Sequence, residues 1–284
     1  MVRFNGDLRW GDNPGMDVHI YQIVYSAASK ESCDPGFQQL DNLSNERPDW
    51  REYWPIRNYL KSHELDEGAF YGFLSPKFGR KTGLASQTVF EFIQGNHKGR
   101  DIFLFSPYFE QLAFFRNVFE QAEANHPGLT QLTAEFLRRS GLEADLSGMI
   151  SCSRNAVFSN YIVARPSFWR SWFAIAEKLF RMAEDTNDPL YGRLNATAPY
   201  READAQYKVF IVERIVSYVL ARYELSAIKA FPLVHRVSDQ AFSHQFFTEL
   251  VVMDAMKYCH LESRHPAYLQ IFEIIRRDVE ARMV

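Results

Sequence analysis

Two neighbouring stretches concentrate the side chains that could do chemistry. Trp50-Arg51-Glu52-Tyr53-Trp54-Pro55-Ile56-Arg57 sets aromatic rings among charges. On a helix, Tyr53 and Arg57 share one face, with Trp50 one turn earlier. A guanidinium beside an indole or phenol can grip a phosphate while the ring stacks on a base or a sugar. The competing arrangement is a solvated Arg/Glu face over a tucked pair of tryptophans. The second stretch runs Tyr71-Gly72-Phe73-Leu74-Ser75-Pro76-Lys77-Phe78-Gly79-Arg80-Lys81-Thr82-Gly83. Its glycines permit close backbone approach, Lys77 and Lys81 are point charges suited to a diphosphate, and Ser75 and Thr82 bring hydroxyls. The spacing is not that of a Walker A loop, and a hairpin or surface loop with basic residues would have the same composition. Trp50 to Lys81 is the expected functional centre: a stacking helix and a phosphate loop as two walls of one pocket.

Other chemistries find little support in the spacing. The eight histidines form no HxxxH or similar pattern, so a metal-dependent or histidine-based hydrolase gains nothing from them. There is no G-x-S-x-G elbow, and no G-x-G-x-x-G follows a strand. Glu213-Arg214 is either an ion pair beside the site or, as most such charges are, a pair on a helix surface. Asn155 and Asn160 flank an expected strand and could bond sugar hydroxyls, or serve only as turn residues.

Charge and composition narrow the partners. Net charge is -3 from 32 basic and 35 acidic residues, with no long run of one sign. A nucleic-acid ligand needs a basic surface and is not expected. With 24 Phe, 14 Tyr and 5 Trp the chain is unusually aromatic, which implies first a bulky core and only then stacking platforms. Cys33, Cys152 and Cys259 are odd in number and far apart, which fits neither a disulfide framework nor zinc spacing. A reducing compartment, the cytoplasm, is the expectation. The polar N-terminus lacks the apolar core of a signal peptide, and no apolar run is long enough to span a bilayer. Peripheral contact with the inner membrane surface stays open.

The elements that must position these residues read as an α/β chain. Strands are expected at Val18 to Tyr25, Gln38 to Leu43, Ala69 to Leu74, Asp101 to Phe105, Val157 to Ala164 and Leu225 to Phe231. Helices are expected from an Asp49 cap through Leu60, over Thr88 to Gln94, from Pro107 through Ala122, over Leu129 to Ser140, from Pro166, over Ala203 to Tyr223, from a Ser238 cap to Leu261, and from Pro266. The pattern predicts a mixed central sheet in residues 17 to 235, a loose leader over residues 1 to 16, and a helical appendage over residues 236 to 284. Such sheets bind ligands beyond the carboxyl ends of their strands, which points to Tyr25-Ser26, Asp41-Asn42, Ser75 to Lys77, and Ser106-Pro107.

The order IYQIVYS, LDN, W-x-E-Y-W-P-I-R and YGFLSPKF-x-x-KTG resembles bacterial glycosyltransferase-like proteins of surface-polysaccharide gene clusters. Asn160-Tyr161-Ile162-Val163-Ala164, Phe168-Trp169 and the F-x-x-E-R segment Phe210 to Arg214 extend the resemblance, which spans roughly residues 18 to 231. It implies a Rossmann-like sheet of the nucleotide-sugar transferase type. It also implies a nucleotide-sugar donor as co-substrate rather than a bound cofactor, and a saccharide acceptor. Tyr25, Ser26, Asn42, Tyr53, Arg57, Ser75, Lys77, Lys81, Ser106 and Asn160 would then hold the substrates. Asp41, Glu52 and Glu213 are the candidate bases for the acceptor hydroxyl. One departure matters. Many such transferases hold a divalent metal on an Asp-x-Asp after a central strand, whereas the matching place here reads Asp101-Ile102-Phe103-Leu104-Phe105-Ser106-Pro107. Either Lys77, Lys81 or Arg57 replaces the metal's charge, or the domain is a non-catalytic nucleotide- or glycan-binding module of a polysaccharide-assembly complex. Metal-free catalysis is the expectation.

Overall fold

The computed structural model describes residues 16–199, 205–233 and 241–283. Its centre is a six-stranded mixed sheet made of β1 (Val18–Val24), β2 (Gln38–Asp41), β3 (Phe70–Leu74), β4 (Ile102–Leu104), β5 (Ile162–Ala164) and β8 (Ile228–Ala230), in the order β2-β1-β3-β5-β4-β8. β6 (Thr197–Ala198) and β7 (Ala205–Gln206) form a separate antiparallel pair. β1 runs parallel to both β2 and β3, and β4 parallel to β8, while β5 lies antiparallel between β3 and β4. β3, β4 and β5 are apolar throughout and buried at every residue, as strands covered on both faces must be.

Aromatic side chains alternate across the sheet because successive strand residues point to opposite faces. On one face Phe73 meets Tyr59 and Trp169 edge-on, from the helices Tyr53–Ser62 and Pro166–Glu184. On the other face Phe103 meets Phe70 and Phe92, the latter from the helix Ser86–Asn96. Gly72 lies opposite Val163 in the pairing of β3 with β5. A Cβ there would sit 2.7 Å from Val163 Cγ2 and 3.2 Å from the Ile162 carbonyl oxygen.

Several expected elements take different bounds. The strand expected over Val157 to Ala164 is ordered only from Ile162, because Ser159 and Asn160 both adopt left-handed backbone. The helix expected from Pro107 is two helices, Phe109–Phe114 and Val118–Asn125, and Asn117 restarts the second by accepting the Phe119 and Glu120 N–H groups. Asp49 caps no helix. It binds Arg47 and Lys208 instead, and the following helix begins at Tyr53. The leader expected over residues 1 to 16 lies outside the described residues save for Met16, and the Ser238 cap lies outside them too. The long helix expected after that cap is two helices, Ala241–Gln245 and Phe247–Ser263.

The C-terminal helices Phe247–Ser263 and Ala267–Arg282 pair with each other and dock on Phe109–Phe114. Their contact is a second small core of Phe109, Ala113, Phe246, Leu250, Met253, Phe272 and Val279. Lys257 is wholly buried beneath it, with its ammonium donating to the Leu112 carbonyl and, at 2.6 Å, to the Phe115 carbonyl. These are end carbonyls of a helix that has no further turn to satisfy them, so a cation there caps it. Burial pulls the Lys257 amine down to about 8, against the upward influence of Asp254.

Gly72→Ala should destabilise the protein by about 1–3 kcal/mol through overpacking against Val163, measured by urea unfolding. For Lys257, the native value near 8 lies below the ordinary 10.5, so between these values the unfolded chain holds more protons than the folded one. Stability contributed at this position therefore rises as pH climbs through that window. The urea midpoint of the wild type, compared with that of Lys257→Met, should improve from pH 7 to pH 10; a constant difference would refute the assignment.

Candidate functional site

The direction of the strands brings most of the candidate residues to one edge of the sheet. β1, β2, β3 and β4 all deliver their carboxyl ends there, and β5, running the other way, enters from the same edge through Ser159-Asn160-Tyr161. Two adjoining cavities open at the β1/β2/β3 end. One, of about 490 Å³, is lined by Asn42, Asn45, Arg51, Glu52 and Gln206, among others; the second, of about 420 Å³, is lined by Gln22, Ser26, Asp34 and Arg80, among others. Tyr25, Pro76 and Lys77 line both. Tyr25 is 40% exposed, a large ring left uncovered at the mouth.

Behind Lys77 lies a second charged cluster. Lys81 donates from Nζ to Ser159 Oγ at 2.8 Å and sits 5.8 Å from the centre of the Tyr108 ring. The Ser159 backbone N–H donates to Glu213 Oε1 at 2.7 Å. Burial holds Lys81 below the usual lysine range, while Glu213 and Glu52 pull it upward. Ser75 Oγ and the Tyr161 hydroxyl share a hydrogen bond of 2.7 Å, and burial pushes the Tyr161 phenol up, with Glu52 and Glu213 acting in the same direction. The carboxylates of Glu52 and Glu213 thus both act on Lys81 and Tyr161. Among the described residues, the Glu52 carboxylate takes no hydrogen bond.

Backbone strain gathers at this edge. Asn45, Arg51, Tyr108, Ser159 and Asn160 have φ of 44°, 47°, 64°, 63° and 56°, and the remaining positive-φ non-glycine residue among the described residues, Arg264, caps the helix Phe247–Ser263. Each costs local energy and persists because the surroundings enforce it, a pattern typical of sites. Asn160 Oδ1 is buried and, among the described residues, has no donor.

Other expected site residues are placed elsewhere. The stacking helix is a correction: its rings point into the protein. Trp50 is buried and donates Nε1–H to Glu184 at 2.8 Å; Tyr53 donates to Glu177 at 2.7 Å, and Arg57 binds the same carboxylate at 2.5 Å. Burial pushes the Tyr53 phenol far up, so it remains a donor. Within the stretch Trp50 to Arg57, Arg51 and Glu52, just before this helix, are the residues that line the cavity, next to Pro48 and Asp49. Asp41 lines neither cavity, and one oxygen of its exposed carboxylate accepts the Leu43 N–H. The Ser26 hydroxyl caps the short helix Ala27–Glu31. Ser106 accepts the Phe158 N–H at 2.9 Å and lines a different cleft. Glu213 accepts the Ser159 N–H with one carboxylate oxygen and keeps the other 3.9 Å from the Arg214 guanidinium, while buried Arg214 also binds the Val118 and Phe210 carbonyls and Gln121.

Sequence reasoning missed Gln22, Arg51 and Ser159 as contributors. Gln22 is buried inside β1, accepts the Asp34 N–H at 2.9 Å and donates to the Ser75 carbonyl at 3.4 Å, which ties the loop before β2 to the loop after β3. An amide inside the apolar run VHIYQIVY was the available signal, because a buried polar group needs partners on both of its ends. Among the described residues no group of three or more His, Cys, Asp or Glu side chains is arranged to hold a metal ion, and no helix is long and apolar enough to cross a membrane. No family model matches the chain, and neither a curated protein nor a solved structure matches it.

Arg57→Ala separates packing from binding. It leaves Glu177 half-partnered in a largely buried position and should cost roughly 3 kcal/mol in urea unfolding. Because Arg57 lies away from both cavities, the affinity of any ligand held at Lys77 should stay within twofold, and a large loss of affinity would put Arg57 back in the site.

Proposed function

We propose that the protein is a glycosyltransferase that moves a sugar from a nucleotide-sugar donor to a saccharide acceptor in surface-polysaccharide assembly. The observation that carries this reading is the placement of Lys77, Arg51 and Glu52 on one cavity beyond the carboxyl ends of parallel strands, with half-buried Lys81 nearby. Crevices at that edge are where open α/β sheets take ligands. The resemblance of the YGFLSPKF-x-x-KTG and W-x-E-Y-W-P-I-R segments to polysaccharide-cluster transferases supports the same reading.

In this mechanism the exposed Tyr25 ring and Asn42 receive the nucleoside, and the diphosphate lies against Lys77 and Arg51. Negative charge grows on the diphosphate as the bond to the sugar breaks, and fixed cations in a partly desolvated cavity stabilise it. The acceptor hydroxyl oxygen bonds to the anomeric carbon, and its proton passes to a carboxylate. Glu52 suits that role best of the three candidate bases. Its carboxylate lines the cavity and takes no hydrogen bond among the described residues, whereas Glu213 is held by Ser159 and Asp41 by its own turn.

Calorimetric titration of the full chain with nucleoside diphosphates, with and without magnesium, tests the reading. Lys77→Ala should weaken binding at least tenfold, equivalent to about 1.4 kcal/mol. Glu52→Gln should keep nucleotide affinity and lose sugar transfer or donor hydrolysis by about 100-fold or more. Unchanged binding in Lys77→Ala would remove the phosphate role. Nucleotide binding without any donor turnover in the wild type would favour the non-catalytic module instead.

A further inference from the structure

A third cleft, of about 760 Å³, lies between the free edge of β8 and the helix Phe247–Ser263. Its walls are apolar, with Phe92, Phe109, Phe231 and Leu233 among them, and three cations line it: Arg100, Arg154 and Lys229. The charges are unevenly answered. Arg154 lies with its guanidinium carbon 4.0 Å from the centre of the Tyr258 ring. That stacking fixes the plane of the fork and leaves its N–H donors at the edge. Among the described residues neither Arg154 nor Lys229 has a carboxylate partner. Of the two acids that line the cleft, Asp254 is already engaged by the Ser153 N–H at 2.8 Å and its hydroxyl at 2.6 Å, while Glu262 is exposed. Arg100 donates to the Ser226 carbonyl.

The cleft lies near the site described above. Ser106 lines it and holds the Phe158 N–H; the Phe158 ring lies 6.4 Å from that of Tyr108, and Tyr108 stands beside Lys81. One pair of rings therefore separates this cleft from the Lys81 cluster.

We propose that this cleft is an acceptor subsite for a saccharide bearing an oxyanion, a uronate carboxylate or a sugar phosphate, held by Arg154 and Lys229. The oxyanion pairs with the preset guanidinium edge and with the Lys229 ammonium, and the apolar walls take the carbon-bound face of the sugar ring. The term acceptor rests on the transferase reading; recognition of an anionic saccharide does not.

The test is titration of the intact protein with a glucuronate-containing trisaccharide, its carboxyl-reduced neutral counterpart, and glucose 6-phosphate, followed by calorimetry and saturation-transfer NMR. At least one anionic probe should bind ten or more times tighter than the neutral trisaccharide, and which one does so identifies the oxyanion. Arg154→Ala should remove that preference, and Lys229→Ala should weaken binding and flatten its salt dependence. Both side chains lie at the protein–solvent boundary, and an unchanged melting temperature confirms folding. Equal binding of charged and neutral trisaccharides, no binding of either anion, or full affinity in both variants would overturn the proposal. Nucleoside-diphosphate affinity, measured on the same samples, should not change in either variant. If wild type takes the anionic saccharide but no nucleotide, the transferase reading falls and the cleft stands.

Discussion

The cluster around Lys81 depends on one strand running against its neighbours. β5 lies antiparallel between β3 and β4, buried on both faces, and its neighbours leave no room for a detour. Because it runs backwards, the chain that enters it arrives at the edge where the parallel strands end. Consecutive left-handed residues, Ser159 and Asn160, turn the chain into the strand. That turn aims the Ser159 N–H at Glu213 and its hydroxyl at Lys81, and it sets Tyr161 against Ser75. Remove the antiparallel insertion and the carboxyl ends still converge, but Lys81 loses its anchor.

A second constraint holds the wall of the larger cavity from outside. Glu177 and Glu184 lie two turns apart on the helix Pro166–Glu184 and between them receive Tyr53, Arg57, Trp50 and Arg47. Their carboxylates are held below the usual range by hydrogen bonds that outweigh the opposing effect of burial. Nearby, Asp49 is held down to about 2 by Arg47 and Lys208, again against burial, and fully buried Lys208 stands 4.5 Å from the Trp50 ring. This packing fixes the chain on both sides of Arg51 and Glu52, which lie between Trp50 and Tyr53. The aromatic and charged motif is thus chiefly a joint between two elements, and the pair that lines the cavity, Arg51 and Glu52, stands near its start.

The sequence carried the architecture well where pattern and burial agree. Apolar runs such as DIFLF and AFYGFL mark central strands, and Pro166 marks a helix start, because each local preference matches the final environment. The edge of the sheet was legible for the same reason: Tyr25, Asn42 and Lys77 follow directly from where strands stop. Two things were not legible. Which face of the helix after Trp50 points inward depends on Glu177 and Glu184, more than a hundred residues later. The left-handed turn at Ser159-Asn160 is set by the sheet, since a strand propensity alone would extend it from Val157. Gln22 shows the opposite case, a buried amide whose oddity was visible but whose partners in two loops were not.

The placement of β5 also governs when the molecule can become whole. As the chain leaves the ribosome, β1, β2 and β3 are complete by Leu74, but the inner edge of β3 has no partner until Ile162 is made, and β4 has no outer neighbour until Ile228. An apolar strand with unpaired backbone groups is an adhesive surface. For the span of chain between those residues the nascent protein exposes a strand that the finished fold buries at every residue, and the sheet has only part of its width. Pairing over such sequence distances is slow, so the period of vulnerability is built into the chain order. The geometry that brings Lys81, Ser159 and Glu213 together therefore cannot form before the chain has reached Glu213.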